Sequence, residues 1–182
     1  MPATTEHPLF CHPANRCATA HGVAASAWLT ADGSLLLSYD VRGEPDGIRI
    51  PAPRPAGAAD GLWQHTCCEA FVAAVDGPEY REFNFSPSGQ WAAYRFHAYR
   101  DRDSGFVPPA APQLALQRHA SGFRLSARIA PELLPPGHVF NIGLSAVVEA
   151  ADGGKSYWAL AHAAAQPDFH LRQSFTLTLN RP

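Results

Sequence analysis

Apolar and polar residues alternate with a period of two through most of the chain, the repeat of strands that set one face against a core. Residues 23–29 and 34–42 predict a hairpin turned by Thr30-Ala31-Asp32-Gly33. Residues 66–75, 80–85 and 91–100 predict a meander, because Asp76-Gly77-Pro78 and Ser86-Pro87-Ser88-Gly89 are strong turn signals between them. A second hairpin, residues 114–119 and 123–129, folds about Ala120-Ser121-Gly122. Residues 139–149 then turn Phe140, Ile142, Leu144, Ala146 and Val148 inward, and residues 156–162 and 174–180 supply the last strands. Residues 131–134 predict a single helical turn, and residues 51–60 a loop, since Pro51, Pro53 and Pro55 lack ladder donors. Roughly nine strands with no long amphipathic helix predict an all-β fold, a two-sheet antiparallel β-sandwich.

The central meander departs from simple amphipathicity. Cys67, Glu69, Phe71, Ala73 and Val75 share one strand face, so Glu69 interrupts an apolar row. Tyr80, Glu82 and Asn84 stand opposite Phe83 and Phe85 on the next strand. On the third, Tyr94, Phe96, Ala98 and Arg100 face away from Trp91, Ala93, Arg95, His97 and Tyr99. Three adjacent strands can therefore share one polar face rimmed by aromatic rings. Such a face suits a small polar ligand that is both stacked upon and hydrogen-bonded, and a sugar meets both conditions.

Composition narrows the classes. A chain of 182 residues, 46% hydrophobic, is read as one domain, residues 1–182, with residues 1–20 a Pro- and Ala-rich leader. The 17 prolines and 14 glycines favour short elements and tight turns. A formal net charge of −2, with Lys155 the only lysine, offers no basic stripe for nucleic acid or an anionic membrane. No run approaches the roughly 18 apolar residues of a membrane helix, and the N-terminus has no signal-peptide pattern, so a cytoplasmic location is expected. Cys11, Cys17, Cys67 and Cys68 lack zinc-ribbon spacing, and the vicinal pair diverges in a strand, so reduced thiols are expected.

The order Leu62-Trp63, then Glu69 in its apolar strand, then Tyr80-Arg81-Glu82-Phe83-Asn84-Phe85-Ser86-Pro87-Ser88-Gly89 and Trp91-Ala92-Ala93-Tyr94, resembles the DOMON-like domains related to family 9 carbohydrate-binding modules. The resemblance implies a jelly-roll-like or immunoglobulin-like sandwich whose concave face or edge binds a small ligand, a sugar in some branches and haem in others. In the sugar-binding branch two tryptophans clamp a terminal sugar, while a strand carboxylate and neighbouring amide and basic side chains bind its hydroxyls. Trp63 and Glu69 match the tryptophan and the carboxylate in order and spacing, and Asn84 matches the amide. Glu82 stands where a basic residue is expected, and Trp158, in Ser156-Tyr157-Trp158-Ala159-Leu160, is the candidate second wall of the clamp. The calcium site of some relatives has no clear counterpart.

The leading expectation is a non-catalytic module for a carbohydrate or polyhydroxyl compound, without a cofactor. Trp63 would stack, Glu69, Asn84 and Arg100 would bond hydroxyls, and Glu82 and Trp158 would complete the face. Three alternatives stay open. Two of the nine histidines, His162 and His170 among them, could carry haem, although Met1 as the sole methionine rules out methionine ligation. Glu69 and Glu82 could be the paired carboxylates of a glycan-processing enzyme. The polar residues could also simply pair with one another, Glu69 with Arg95 or Arg100, in a structural or interaction sandwich.

Overall fold

The alternating pattern is realised as thirteen strands in a computed structural model that describes residues 5–182. In chain order they are β1 (His7–Cys11), β2 (Ala20–Leu29), β3 (Leu35–Gly43), β4 (Gly57–Ala58), β5 (Cys67–Ala74), β6 (Tyr80–Phe85) and β7 (Gln90–Ala98), followed by β8 (Asp101–Arg102), β9 (Gln113–His119), β10 (Gly122–Ile129), β11 (Val139–Glu149), β12 (Lys155–Ala159) and β13 (Leu177–Asn180). Helical structure among the described residues is confined to short 3-10 turns. Residues 1–4 of the expected leader lie outside the described residues, but β1 falls inside that leader, and its pairing decides the topology.

The expectation of two separate sheets is corrected by β1. Its first half, His7 to Leu9, pairs with β2, and its second half, Phe10 and Cys11, pairs with β12. One hydrogen-bonded sheet therefore runs in the order β4-β7-β6-β5-β11-β12-β1-β2-β3-β10-β9, with β13 added to β11 and β8 to β7. The sheet is mixed, because β4 is parallel to β7 while the meander strands are antiparallel. It curls so that Leu37, Tyr39 and Leu125 from one arm pack in one core with Val72, Phe83 and Ile142 from the other. The strand count exceeds the expected one through β1, inside the expected leader, and through β4 and β8, each two residues long and too short to show a period. The proline-rich loop thus still supplies an edge strand, which is where a segment poor in donors can pair.

Tyr39 ties the arms together. Its ring is fully buried in β3, and its hydroxyl donates to the backbone oxygen of Glu69 in β5 over 2.6 Å. Tyr39→Phe removes that bond without changing the ring, so a loss of about 1–2 kcal/mol is expected in urea unfolding. An unchanged midpoint would show that packing alone joins the arms.

A second apolar group covers the other face of the meander. Phe71, Ala73, Tyr80, Ala92, Tyr94, Phe96 and Phe175 cluster there with Leu62 and Phe169 packed against them. The covering segment is the chain between β12 and β13. It is held by Arg172, which donates to the backbone oxygens of Ala74 and Glu79 at 3.0 and 3.4 Å, and by Phe175 stacked on Phe71 at 5.6 Å. Both faces of β6 are buried along its whole length as a result. The polar row on this face is therefore the floor of a covered space, and no part of it is an open solvated sheet.

Candidate functional site

Alternation in β5, β6 and β7 turns Glu69 and Phe71, then Glu82, then Tyr94 and Phe96 toward one cavity of about 860 Å³. Gly61, at φ 72°, starts the 3-10 turn Leu62–Gln64 and places Trp63 on the rim, 52% exposed. Tyr157 of β12 adds a further ring, and the segment between β12 and β13 contributes Asp168, Phe169 and His170. Arg100 reaches the cavity from the β7–β8 turn at φ 56°, a left-handed conformation that ends the predicted third strand at Ala98.

Two carboxylates lie on the floor. Cross-strand register puts Glu69 opposite Asn84 and Phe71 opposite Glu82, so the two glutamates are diagonal neighbours on adjacent strands. Glu69 is 3% exposed, and its Oε1 has no hydrogen-bond partner among the described residues. Burial pushes its carboxyl well above the usual carboxylate range, and repulsion from Glu82 adds to the effect. Glu82 accepts from the Asn84 amide at 3.0 Å. Burial raises its carboxyl to about 7, against smaller lowering effects from Asn84, Arg102 and Arg100.

A polar relay backs Glu82. The backbone N–H of Arg100 donates to the Tyr80 hydroxyl at 3.1 Å, and that hydroxyl lies 2.8 Å from Nδ1 of His170. Burial raises the Tyr80 hydroxyl to about 12, so it keeps its proton. The other ring nitrogen, Nε2, lies 3.7 Å from Oε2 of Glu82. Burial and the nearby Arg100 charge lower His170 to about 4, so the ring is neutral at ordinary pH.

The cations at the rim are matched to other acids. Arg100 pairs with Asp168 at 2.9 Å, and Tyr99 donates to the same carboxylate. Arg102 lies 4.0 Å over the Tyr94 ring and 3.5 Å from Asp60, which also accepts from the Tyr94 hydroxyl at 2.6 Å. Arg95, the other partner considered for Glu69, pairs with Asp103 instead. No ion pair among the described residues reaches Glu69.

Of the residues singled out from sequence, Trp63, Glu69, Glu82 and Arg100 line the cavity together. Asn84 is fully buried and acts on the cavity through Glu82. Trp158 lies elsewhere: it is 7% exposed in the main core, where its indole N–H donates to Ser156 at 2.9 Å. Its neighbour Tyr157 takes the cavity side, as alternation within β12 requires. His170 lines the cavity, whereas His162 is within 2.8 Å of the backbone oxygen of Phe10. Sequence reasoning missed Tyr94 and Phe96 as cavity walls, although both were on the right face. Asp168 and Phe169 come from the loop between His162 and His170, a segment without periodicity that singles out neither residue.

No protein-family model matches the chain, and no curated protein sequence matches it. Solved structures do share its fold. A Bacteroides uniformis protein proposed to bind carbohydrate aligns with a TM-score of 0.67 at 15% identity, over 97% of this chain and 86% of that one. A family 9 carbohydrate-binding module from Caldicellulosiruptor kristjanssonii in complex with cellotriose gives 0.60 at 12% identity, over 97% and 82%. A family 9 module from the same organism in complex with glucose gives 0.54 at 12%, over 87% and 75%. The chain thus has the β-rich fold of family 9 carbohydrate-binding modules and of that Bacteroides protein.

Proposed function

We propose that the chain is a carbohydrate-binding module that holds a sugar or related polyhydroxyl compound in the cavity between Trp63 and the Glu69–Glu82 floor. The observation that carries this reading is the union of exposed and half-buried rings with a buried carboxylate oxygen that no protein group satisfies. Sugars offer C–H faces for the rings and hydroxyl donors for the carboxylates. The fold shared with modules in complex with cellotriose and glucose supports it. In this reading Trp63 stacks, Glu69, Glu82 and Arg100 bond hydroxyls, Asn84 holds Glu82, and Tyr157 takes the wall first assigned to Trp158. The DOMON-like character is the finer assignment, resting on the residue 80–89 block.

Calorimetry with glucose and cello-oligosaccharides tests this reading. Trp63→Ala should weaken the bound sugar roughly tenfold or more, about 1.4 kcal/mol, through lost stacking area. Because the indole is half exposed, unfolding stability should fall by less than about 1 kcal/mol. Absence of binding by any of these sugars, or unfolding of Trp63→Ala, would remove the proposed role of this face.

A further inference from the structure

With Glu69 and Glu82 ionised, the cavity floor carries more hydrogen-bond acceptors than donors, and more negative than positive groups. Glu69 offers only acceptors when ionised, and its Oε1 is unpartnered although the residue is 3% exposed. Behind the floor, directly across the strand pair from Glu69, the Asn84 carbonyl oxygen is also buried without a partner among the described residues, while its amide nitrogen donates to Glu82. His170, facing Glu82, is neutral. Arg100 and Arg102 are taken up by Asp168 and Asp60 at the rim.

We propose that the ligand of this cavity carries a cationic amine, as an amino sugar does, and that the ammonium sits against Glu69 and Glu82. The proposal rests on the carbohydrate reading of the same cavity and names the substituent that the floor selects. A hydroxyl brings one donor with its own acceptor lone pairs. An ammonium brings three donors, no acceptor and a charge, which is the complement of two carboxylates. The exposed ring of Trp63 at the rim adds an aromatic surface that favours a cation. The raised carboxyls agree with this assignment: an arriving ammonium replaces their protons, so binding releases protons and tightens as pH rises through the range where Glu82 titrates. Tyr80 and Tyr94 keep their protons throughout that range.

The test is calorimetry on the full chain at about pH 7 with D-glucosamine, D-glucose and N-acetyl-D-glucosamine, the last keeping the nitrogen but not its charge. Glucosamine should bind at least about tenfold more tightly than the other two, the effect of one additional charge-assisted bond. In Glu69→Gln and in Glu82→Gln that preference should shrink toward unity, even where the affinity for glucose also falls. Glucose or the acetylated sugar binding as tightly as glucosamine overturns the amine proposal and leaves carbohydrate binding intact. A preference unchanged in both variants overturns its placement on these carboxylates. Binding of none of the three sugars overturns both readings. The comparison of sugars on the unaltered protein stands even if a variant folds poorly.

Discussion

Replacing Glu69 and Glu82 together with glutamine will stabilise the ligand-free protein above neutral pH, by roughly 2–4 kcal/mol. Both carboxyls are buried, and both are held above their ordinary range, Glu82 at about 7 and Glu69 higher. The native state therefore keeps protons that the unfolded chain has already released once pH passes the ordinary glutamate range. More protons bound in the native state means stability that is complete at lower pH and declines as pH rises through about 7. Glutamine has no charge to desolvate, so the double variant should lose this decline. Asp40, Asp103 and Asp168 have the opposite sign, because hydrogen bonds and charge from nearby basic groups lower their carboxyls. Their contribution is lost only as pH falls into the acid range, and His170, lowered from 6.5 to about 4, likewise adds stability as pH rises only up to about 6.5, which leaves the interval from about pH 6.5 to 8 to the glutamates. Urea unfolding across that interval is the measurement. A wild-type protein that grows more stable with pH, or a double variant that gains nothing at the alkaline end, would contradict the picture of an uncompensated pair. The same destabilisation gives the site its use, because a ligand that satisfies the pair recovers what the empty cavity loses.

Phe83→Ala will cost about 3–5 kcal/mol, against less than about 1 kcal/mol for Trp63→Ala. Phe83 is fully buried in the main core, its ring parallel to that of Phe85 with centroids 6.4 Å apart. It lies between Glu82 and Asn84 in sequence but on the opposite side of β6, so its removal leaves a cavity beneath the strand that carries both. Thermal or urea unfolding reads the loss directly. A small effect would mean that the curled sheet closes over the gap, and that β6 is not held between two packed faces. The contrast with Trp63 separates aromatic residues that build the scaffold from those that face the ligand.

The limits of periodicity show most clearly in β12. In Lys155–Ala159 the pattern places Tyr157 and Trp158 on opposite faces, yet both are large, aromatic and capable of lining a site. Nothing in five residues says which face meets the core, and the tryptophan went inward, where Ser156 satisfies its N–H. Arg100 was legible as a cavity residue but not as a turn residue, because the hairpin to β8 is set by a left-handed backbone at a non-glycine position. Glu69 was the clearest signal of all. A carboxylate in an apolar row announces either a partner or a site, and Glu69 has no cationic partner among the described residues.

Sequence alone determined the all-β character, the meander from β5 to β7, the bounds of β11 and the division of Glu69, Glu82 and Asn84 from Phe83 and Phe85. Each of these follows from a local rule: strand geometry fixes which residues share a face, and proline and glycine fix where strands turn. Tertiary structure decided the rest. It joined the expected sheets through the two-sided pairing of β1, a strand only five residues long. It also laid the aperiodic chain between β12 and β13 over the polar face, bringing Asp168 and His170 to residues some 70 to 90 positions earlier in the chain. Those contacts depend on how the whole sheet curls and on which surface remains to be covered, and neither is encoded in the spacing of neighbouring residues. Burial of the glutamate pair, and with it the chemistry of the site, is a property of that covering.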